Sequence, residues 1–285
     1  MSSPSAPAPP PIDVRFRLGS EITPEQSAFL DRHGFLHFEA VAAPDEVAMI
    51  CREMEQIEQR WIREGRRRVY GIPLFYGRGL EGERIVQRLA FASMFSEPIR
   101  RFVRDARFEP IRRLIAEDAR IGDDEKDGVV INRYLNVAGS AYPRLGWHTD
   151  GLRDLFYGRL PQRFLNVGLH LDACDRENGG LRLIPGSHTQ GLFSMCFRKP
   201  YFVSHREDPR EICVETRPGD LTVHDGRLWH RVARSTREGA ASLRRSMYVP
   251  YLTGPYEPKS EESPTPAYHR LGAWLRERKT KAVGA

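Results

Sequence analysis

Residues 164–171 read Phe-Leu-Asn-Val-Gly-Leu-His-Leu, a short strand-like run. Similar runs stand at 129–134, 181–184, 211–214, 220–224 and 246–250, with Gly, Pro, Asn and Asp clusters between them. Many short strands separated by turn residues indicate a sandwich, jelly roll or barrel. Upstream of this β region the texture is different. Thr23-Pro24-Glu25-Gln26 opens a helix: Thr caps, Pro takes the first helical position and Gln closes a capping box. Gly34 suits its end and residues 35–38 read as a strand. A second helix opens at Pro44-Asp45. Its Val47, Ile50, Cys51, Met54, Ile57 and Trp61 recur at three- and four-residue steps, forming one core-facing stripe. Residues 70–80 read as an aromatic loop, and helical periodicity is expected from about 82 to 118. The expected organisation is a Pro/Ala/Ser tail over 1–20, one domain over 21–255, and a linker with a final helix (267–279) over 256–285.

Composition narrows the classes. The chain has 285 residues, 40% hydrophobic and 29% charged, which excludes collagen-like structure and wholesale disorder. Such a chain buries enough surface to fold without a disulfide or a structural metal. No apolar run reaches the roughly 18–20 residues that span a bilayer, so no membrane partner is expected. The four cysteines have no close pairing, which fits reduced thiols in a cytoplasmic protein. Net charge is +6, and only five of the 44 basic residues are Lys. Short basic runs mixed with acids read first as solvated surface and second as a site for an anionic small molecule.

The chemistry concentrates in Gly146-Trp147-His148-Thr149-Asp150-Gly151. In an extended chain, residues two apart share a face, so His148 and Asp150 can reach one metal ion. A third ligand must come from elsewhere, and His230, in Asp225-Gly226-Arg227-Leu228-Trp229-His230, is a candidate. Two His and one carboxylate with open positions form the ligand set of non-haem Fe(II) oxygenases. Downstream, Arg244-Arg245-Ser246 offers a guanidinium for bidentate grip of a carboxylate. Arg244, Ser246 and Tyr248 share one strand face and Arg245 the other. Arg244 is preferred as the anchor, and a slip of one residue would exchange the two.

Several further segments carry a resemblance. They are the entry helix and strand (23–38), His148-x-Asp150, Asn178-Gly179-Gly180, Pro185-Gly186-Ser187-His188, Pro218-Gly219-Asp220, and His230 with its downstream Arg. Together they resemble the phytanoyl-CoA dioxygenase family of Fe(II)- and 2-oxoglutarate-dependent oxygenases, over about residues 22–252. The resemblance implies a mostly β fold with flanking helices, a double-stranded β-helix (a cupin-like jelly roll) with N-terminal helices packed on one sheet. It implies His148, Asp150 and His230 as iron ligands and Arg244 as the 2-oxoglutarate anchor, with Ser246 adding a hydroxyl. Fe(II), 2-oxoglutarate and O2 are then the expected cofactors, with ascorbate as a reductant. Asn132-Arg133-Tyr134 is also similar to a segment of the alkylated-nucleobase repair dioxygenases, which gives Asn132 and Tyr134 a place on 2-oxoglutarate. The spacing from His230 to Arg244 is longer than usual in the family. Its frequent aromatic on the strand of Asn166 and Gly168 is missing here.

The remaining histidines are read as follows. His188 is a turn residue, His224 a less favoured alternative to His230, His170 a residue facing or underlying the pocket and not taken as a ligand, and His33, His37, His205 and His269 surface residues. Tyr70, Phe75, Tyr76, Phe156 and Tyr157 are candidates for an apolar mouth, and Arg153, Arg159 and Arg163 for an anionic group. Hydroxylation of a small molecule is the leading function. A nucleic-acid or protein substrate, or a non-redox cupin-like binding module, are the alternatives.

Overall fold

The computed structural model describes residues 10–140, 143–157, 159–266 and 269. Helix α1 (Pro24–His33) begins with the expected reciprocal cap: the Gln26 amide donates to Thr23 Oγ1 at 3.2 Å, and the Thr23 amide donates to Gln26 Oε1 at 3.0 Å. It ends at Gly34 and leads into β1 (Phe35–Phe38). Helix α2 (Pro44–Arg63) buries Val47, Ile50, Met54, Ile57 and Trp61 along one stripe. Short α-helices α3 (Ala92–Phe95), α4 (Glu97–Val103), α5 (Glu109–Arg113) and, much later, α6 (Leu192–Phe197) complete the set among the described residues.

The other strands are β2 (Arg68–Val69), β3 (Ile72–Pro73), β4 (Phe75–Arg78), β5 (Arg84–Leu89), β6 (Arg120–Ile121), β7 (Val130–Tyr134), β8 (Leu145–His148), β9 (Leu165–His170), β10 (Gly180–Leu183), β11 (Ile212–Cys213), β12 (Leu221–Asp225), β13 (His230–Ala233) and β14 (Arg244–Leu252). One sheet runs β1-β12-β9-β14-β7-β5-β4, with β6 added to β14; a second runs β11-β10-β13-β8. All their pairings are antiparallel. The result is a jelly roll with the N-terminal helices on the outer face of the large sheet. On that face Val167, Leu169, Val223, Met247 and Val249 join Leu36, Ile50, Met54 and Trp61 in one core. The alternate residues of the same strands point into the interior between the sheets.

Three expectations are corrected. The tail does not extend to residue 20: the Phe16 amide donates to His37 O at 2.8 Å, and Phe16 is buried. Residues 70–80 contain strands β3 and β4 rather than a loop alone, and 84–89 is a strand rather than a helix. Ile85 and Leu89 are four apart, a spacing that a helix and a buried strand share. Pairing with β4 and β7 decides for the strand. The 256–266 segment packs back on the domain, with the Lys259 amide donating to Asp124 O at 2.7 Å. Of the expected final helix only His269 lies within the described residues. Among those residues, no helix is long and apolar enough to cross a membrane.

Candidate metal centre and active-site cavity

His148 closes β8 and His230 opens β13, and the register makes them direct cross-strand partners with ring centroids 4.1 Å apart. Each is held at its far nitrogen. His148 Nδ1 donates to Gly146 O at 2.8 Å and His230 Nδ1 to Leu228 O at 3.0 Å. Both rings therefore present a bare Nε2 to the interior, the tautomer a metal requires. The residue before each histidine is a tryptophan facing the other way. Trp147 and Trp229 are fully buried with Ile184, and Tyr201 packs against them. Phe202 stacks on the His148 ring at 4.6 Å.

Asp150 lies two residues beyond His148, past the end of β8. It is buried, and its donor oxygen and the two imidazole nitrogens lie within 4.8 Å of one another. Two partners hold the carboxylate. Asn166 of β9 donates to Oδ2 at 2.8 Å, and Arg153 donates to Oδ1. Burial alone would raise the Asp150 pKa, but the Arg153 charge and the surrounding imidazoles keep it well below the usual carboxylate range. Burial pushes His148 down to about 4 and His230 well below its ordinary value. At neutral pH the three groups are thus one carboxylate and two neutral imidazoles, the protonation states metal binding needs. The donor set, its burial and the tied Nδ1 atoms fit a ferrous ion with open positions.

A cavity of about 380 Å³ opens on this cluster, within the size range of small-molecule sites. Both sheets line it, Asn132, Tyr134, Asn166 and Tyr248 from the large one and Leu145, His148, His230 and Val232 from the small one. A larger groove, about 1220 Å³, lies between the 17–22 segment and α5 and contains none of the three groups. The aromatic missing from β9 has a replacement. Tyr248 lies across Gly168, and a Cβ there would collide with its ring.

The structure separates the two arginines of β14. Arg245 faces outward, paired with Asp172 at 2.8 and 2.9 Å. Arg244 faces inward, opposite Tyr134, and Ser246 faces inward opposite Asn132. Neither Arg244 nor Ser246 lines the cavity itself. The Arg244 guanidinium sits over the Tyr134 ring and donates to Ala233 O at 2.7 Å and Pro143 O at 3.2 Å. Its Nε is buried without a partner, as is Asn132 Oδ1. Gly179, at φ +91°, explains part of the Asn-Gly-Gly segment: a side chain there would strike the guanidinium and Ala233 O.

Other expectations change. Arg153 lines the cavity, and its guanidinium serves Asp150 and, at 2.8 Å, Asp127. Arg159 reaches Glu257, and Arg163 stands 3.9 Å from Asp31 and Asp225; neither lines the cavity. Phe75 does line it, but Tyr70 packs on Phe91 and Phe95, and the Tyr76 hydroxyl donates to Arg66 O. The Phe156 and Tyr157 side chains fall outside what is described. Of the four histidines read as surface, His37 is buried against Asp220 at 3.1 Å, and His205 and His269 line the cavity. His170 is buried and bonds Thr222 at 3.0 Å, and His188 bonds Asp31 O at 3.1 Å. Sequence reasoning missed Asn166, Arg88, Lys126, Arg144 and Phe164 at the site. Arg144 stands just ahead of β8, four residues before His148; the others are more distant in sequence, and the fold brings them near.

A family model described as phytanoyl-CoA dioxygenase (PhyH) matches residues 30–238. The chain belongs to the phytanoyl-CoA dioxygenase family. This makes it a 2-oxoglutarate-dependent oxygenase. None of the curated proteins matches it in sequence. Solved structures do resemble it. The carbocyclase SnoK from nogalamycin biosynthesis, described as non-heme and alpha-ketoglutarate-dependent, is 19% identical with a TM-score of 0.60, covering 88% of this chain and 91% of its own. EctD from S. alaskensis with bound Fe is 18% identical with a TM-score of 0.59, covering 88% of each chain. EvdO2 from Micromonospora carbonacea var. aurantiaca complexed with 2-oxoglutarate is 18% identical with a TM-score of 0.56, covering 84% of this chain and 95% of its own. At these identities the likeness is one of fold.

Proposed function

We propose that this member of the phytanoyl-CoA dioxygenase family uses Fe(II), 2-oxoglutarate and O2 to hydroxylate an unactivated C–H bond of a small molecule, releasing succinate and CO2. The observation that carries the reading is the convergence of His148, Asp150 and His230 on one buried point of the cavity wall. When bound, the ferrous ion and the keto-acid would supply the electrons that activate O2, the oxidant of the reaction. The protein supplies position. His148 and His230 offer neutral nitrogens on a fixed strand pair, and Asp150 offers an oxygen already oriented by Asn166 and Arg153. Arg244, with Ser246, is the anchor for the far carboxylate of the keto-acid. Asn132 and Tyr134 lie on the cavity wall in front of it, and the unpartnered Arg244 Nε–H is a buried donor that a carboxylate would satisfy. Ascorbate would serve to keep the iron ferrous.

The outer cavity supports an amphipathic substrate with an anionic group. Phe75, Phe164 and Phe202 provide apolar wall, while exposed Arg144 brings positive charge to the rim. Lys126 stands over the Phe164 ring at 4.4 Å, partly offset by Asp154. The test is to load the protein with Fe(II) under anaerobic conditions, add 2-oxoglutarate and a panel of metabolites, and measure succinate in air. Substrate-stimulated succinate that His148→Ala abolishes supports the proposal. Stimulated succinate that survives in His148→Ala sinks it.

A further inference from the structure

His224 is left over by this reading. It sits on β12 opposite Asn166, on the strand face that also carries Thr222, and is 1% exposed. Its Nε2 stands 3.8 Å from Asp150 Oδ2, almost the same as the 3.7 Å from His230 Nε2 to that oxygen. Its ring centroid is 4.6 Å from that of His230. Neither of its ring nitrogens has a hydrogen-bond partner. A buried polar group without a partner is costly, and its presence in a folded protein calls for an explanation.

Two roles would use it, and they leave different atoms unsatisfied. As a fourth metal ligand through Nε2, it would carry its proton on Nδ1, a buried N–H with no acceptor. As a donor through Nε2–H, it would leave only a bare Nδ1 lone pair. Orphaned buried N–H groups are rarer than under-used acceptors. Ligand histidines also almost always have their other N–H tied, as His148 and His230 do here and His224 does not. The donor role therefore costs less. The acceptor count agrees: an ionised carboxylate offers about four lone-pair sites. Arg153 and Asn166 occupy two on Asp150, and a metal would take a third. One site remains on the carboxylate.

We propose that His224 is a positioning residue of the metal site, an imidazole whose Nε2–H completes the set of donors on the Asp150 carboxylate and fixes its one-oxygen binding mode. The proposal rests on the metal reading above. It assigns His224 no place among the metal's own ligands.

The test uses the full chain loaded with Cu(II) in place of Fe(II), without 2-oxoglutarate. Pulsed electron paramagnetic resonance counts the imidazole nitrogens on copper, chelator competition gives the affinity, and a melt in EDTA checks folding. Two nitrogens are expected in the wild type, in His224→Phe and in His224→Gln. Affinity is expected to fall about ten- to hundredfold in His224→Phe, the usual effect of removing an outer partner. His224→Gln, which keeps an N–H donor at similar reach, is expected to recover most of it. A drop from three nitrogens to two in His224→Phe makes His224 a ligand and overturns the proposal. So does a folded His224→Phe with unchanged affinity, or a folded His224→Gln that recovers none. His148→Ala separates the two ideas: it should lose one nitrogen whatever His224 does, and if it does not, the metal reading falls first.

Discussion

On the small sheet, the two histidines that face the cavity are both fixed before any ligand arrives; on the large sheet, Asn166 is tied to Asp150 but Arg244 keeps an unused donor. His148 and His230 are cross-strand partners, each bonded to a backbone carbonyl two residues upstream and each preceded by a fully buried tryptophan. Across the interior, Arg244 Nε is buried and unpartnered. The difference matches two kinds of cargo. A metal site needs its ligand geometry preset, whereas hydrogen-bonding groups that wait for an organic acid must stay unsatisfied until it binds.

The largest effect expected is on the preset side. His148→Ala and His230→Ala should each lower substrate-stimulated succinate formation by more than about a hundredfold, beyond the usual effect of losing an outer partner. Retained turnover would mean that the small sheet does not carry the metal. Next, Trp229→Ala should cost about 3–5 kcal/mol of stability, read by denaturant unfolding, because it empties the small cluster behind both histidines. A loss below 1 kcal/mol (of order one methylene) would show that the backing is slack.

On the open side, Arg244→Lys should raise the 2-oxoglutarate KM about tenfold, the loss expected for one charge-assisted hydrogen bond. Arg245→Ala should leave that KM unchanged and lower stability through Asp172. The reverse pattern would assign the anchor to the wrong face of β14. The smallest effect concerns pH. Burial depresses His170 from its ordinary 6.5 to about 3, so the unfolded chain takes up a proton first. Its contribution is intact above about pH 6.5 and is lost as pH falls from there toward 3. His170→Gln should flatten the slope of unfolding free energy over that window. An unchanged slope would mean that His170 is not the group that titrates.

The sequence by itself determined the local elements and the short motifs. The Thr23–Gln26 cap, the α2 stripe, most strand runs and the His-x-Asp pair depend on residues within a few positions of each other, where spacing fixes which side chains meet. Its misreadings of type were 70–80, read as a loop although it holds β3 and β4, and 84–89, where a four-residue spacing fitted both helix and strand. Only the tertiary structure decided that β8 and β13 pair with His148 opposite His230, that Asn166 grips Asp150, that Arg244 faces inward and Arg245 outward, and that His224 ends beside the same carboxylate. Those placements depend on the register between strands far apart in the chain. One residue of slip would turn every one of these side chains to the opposite face, and no spacing within a single strand records that choice.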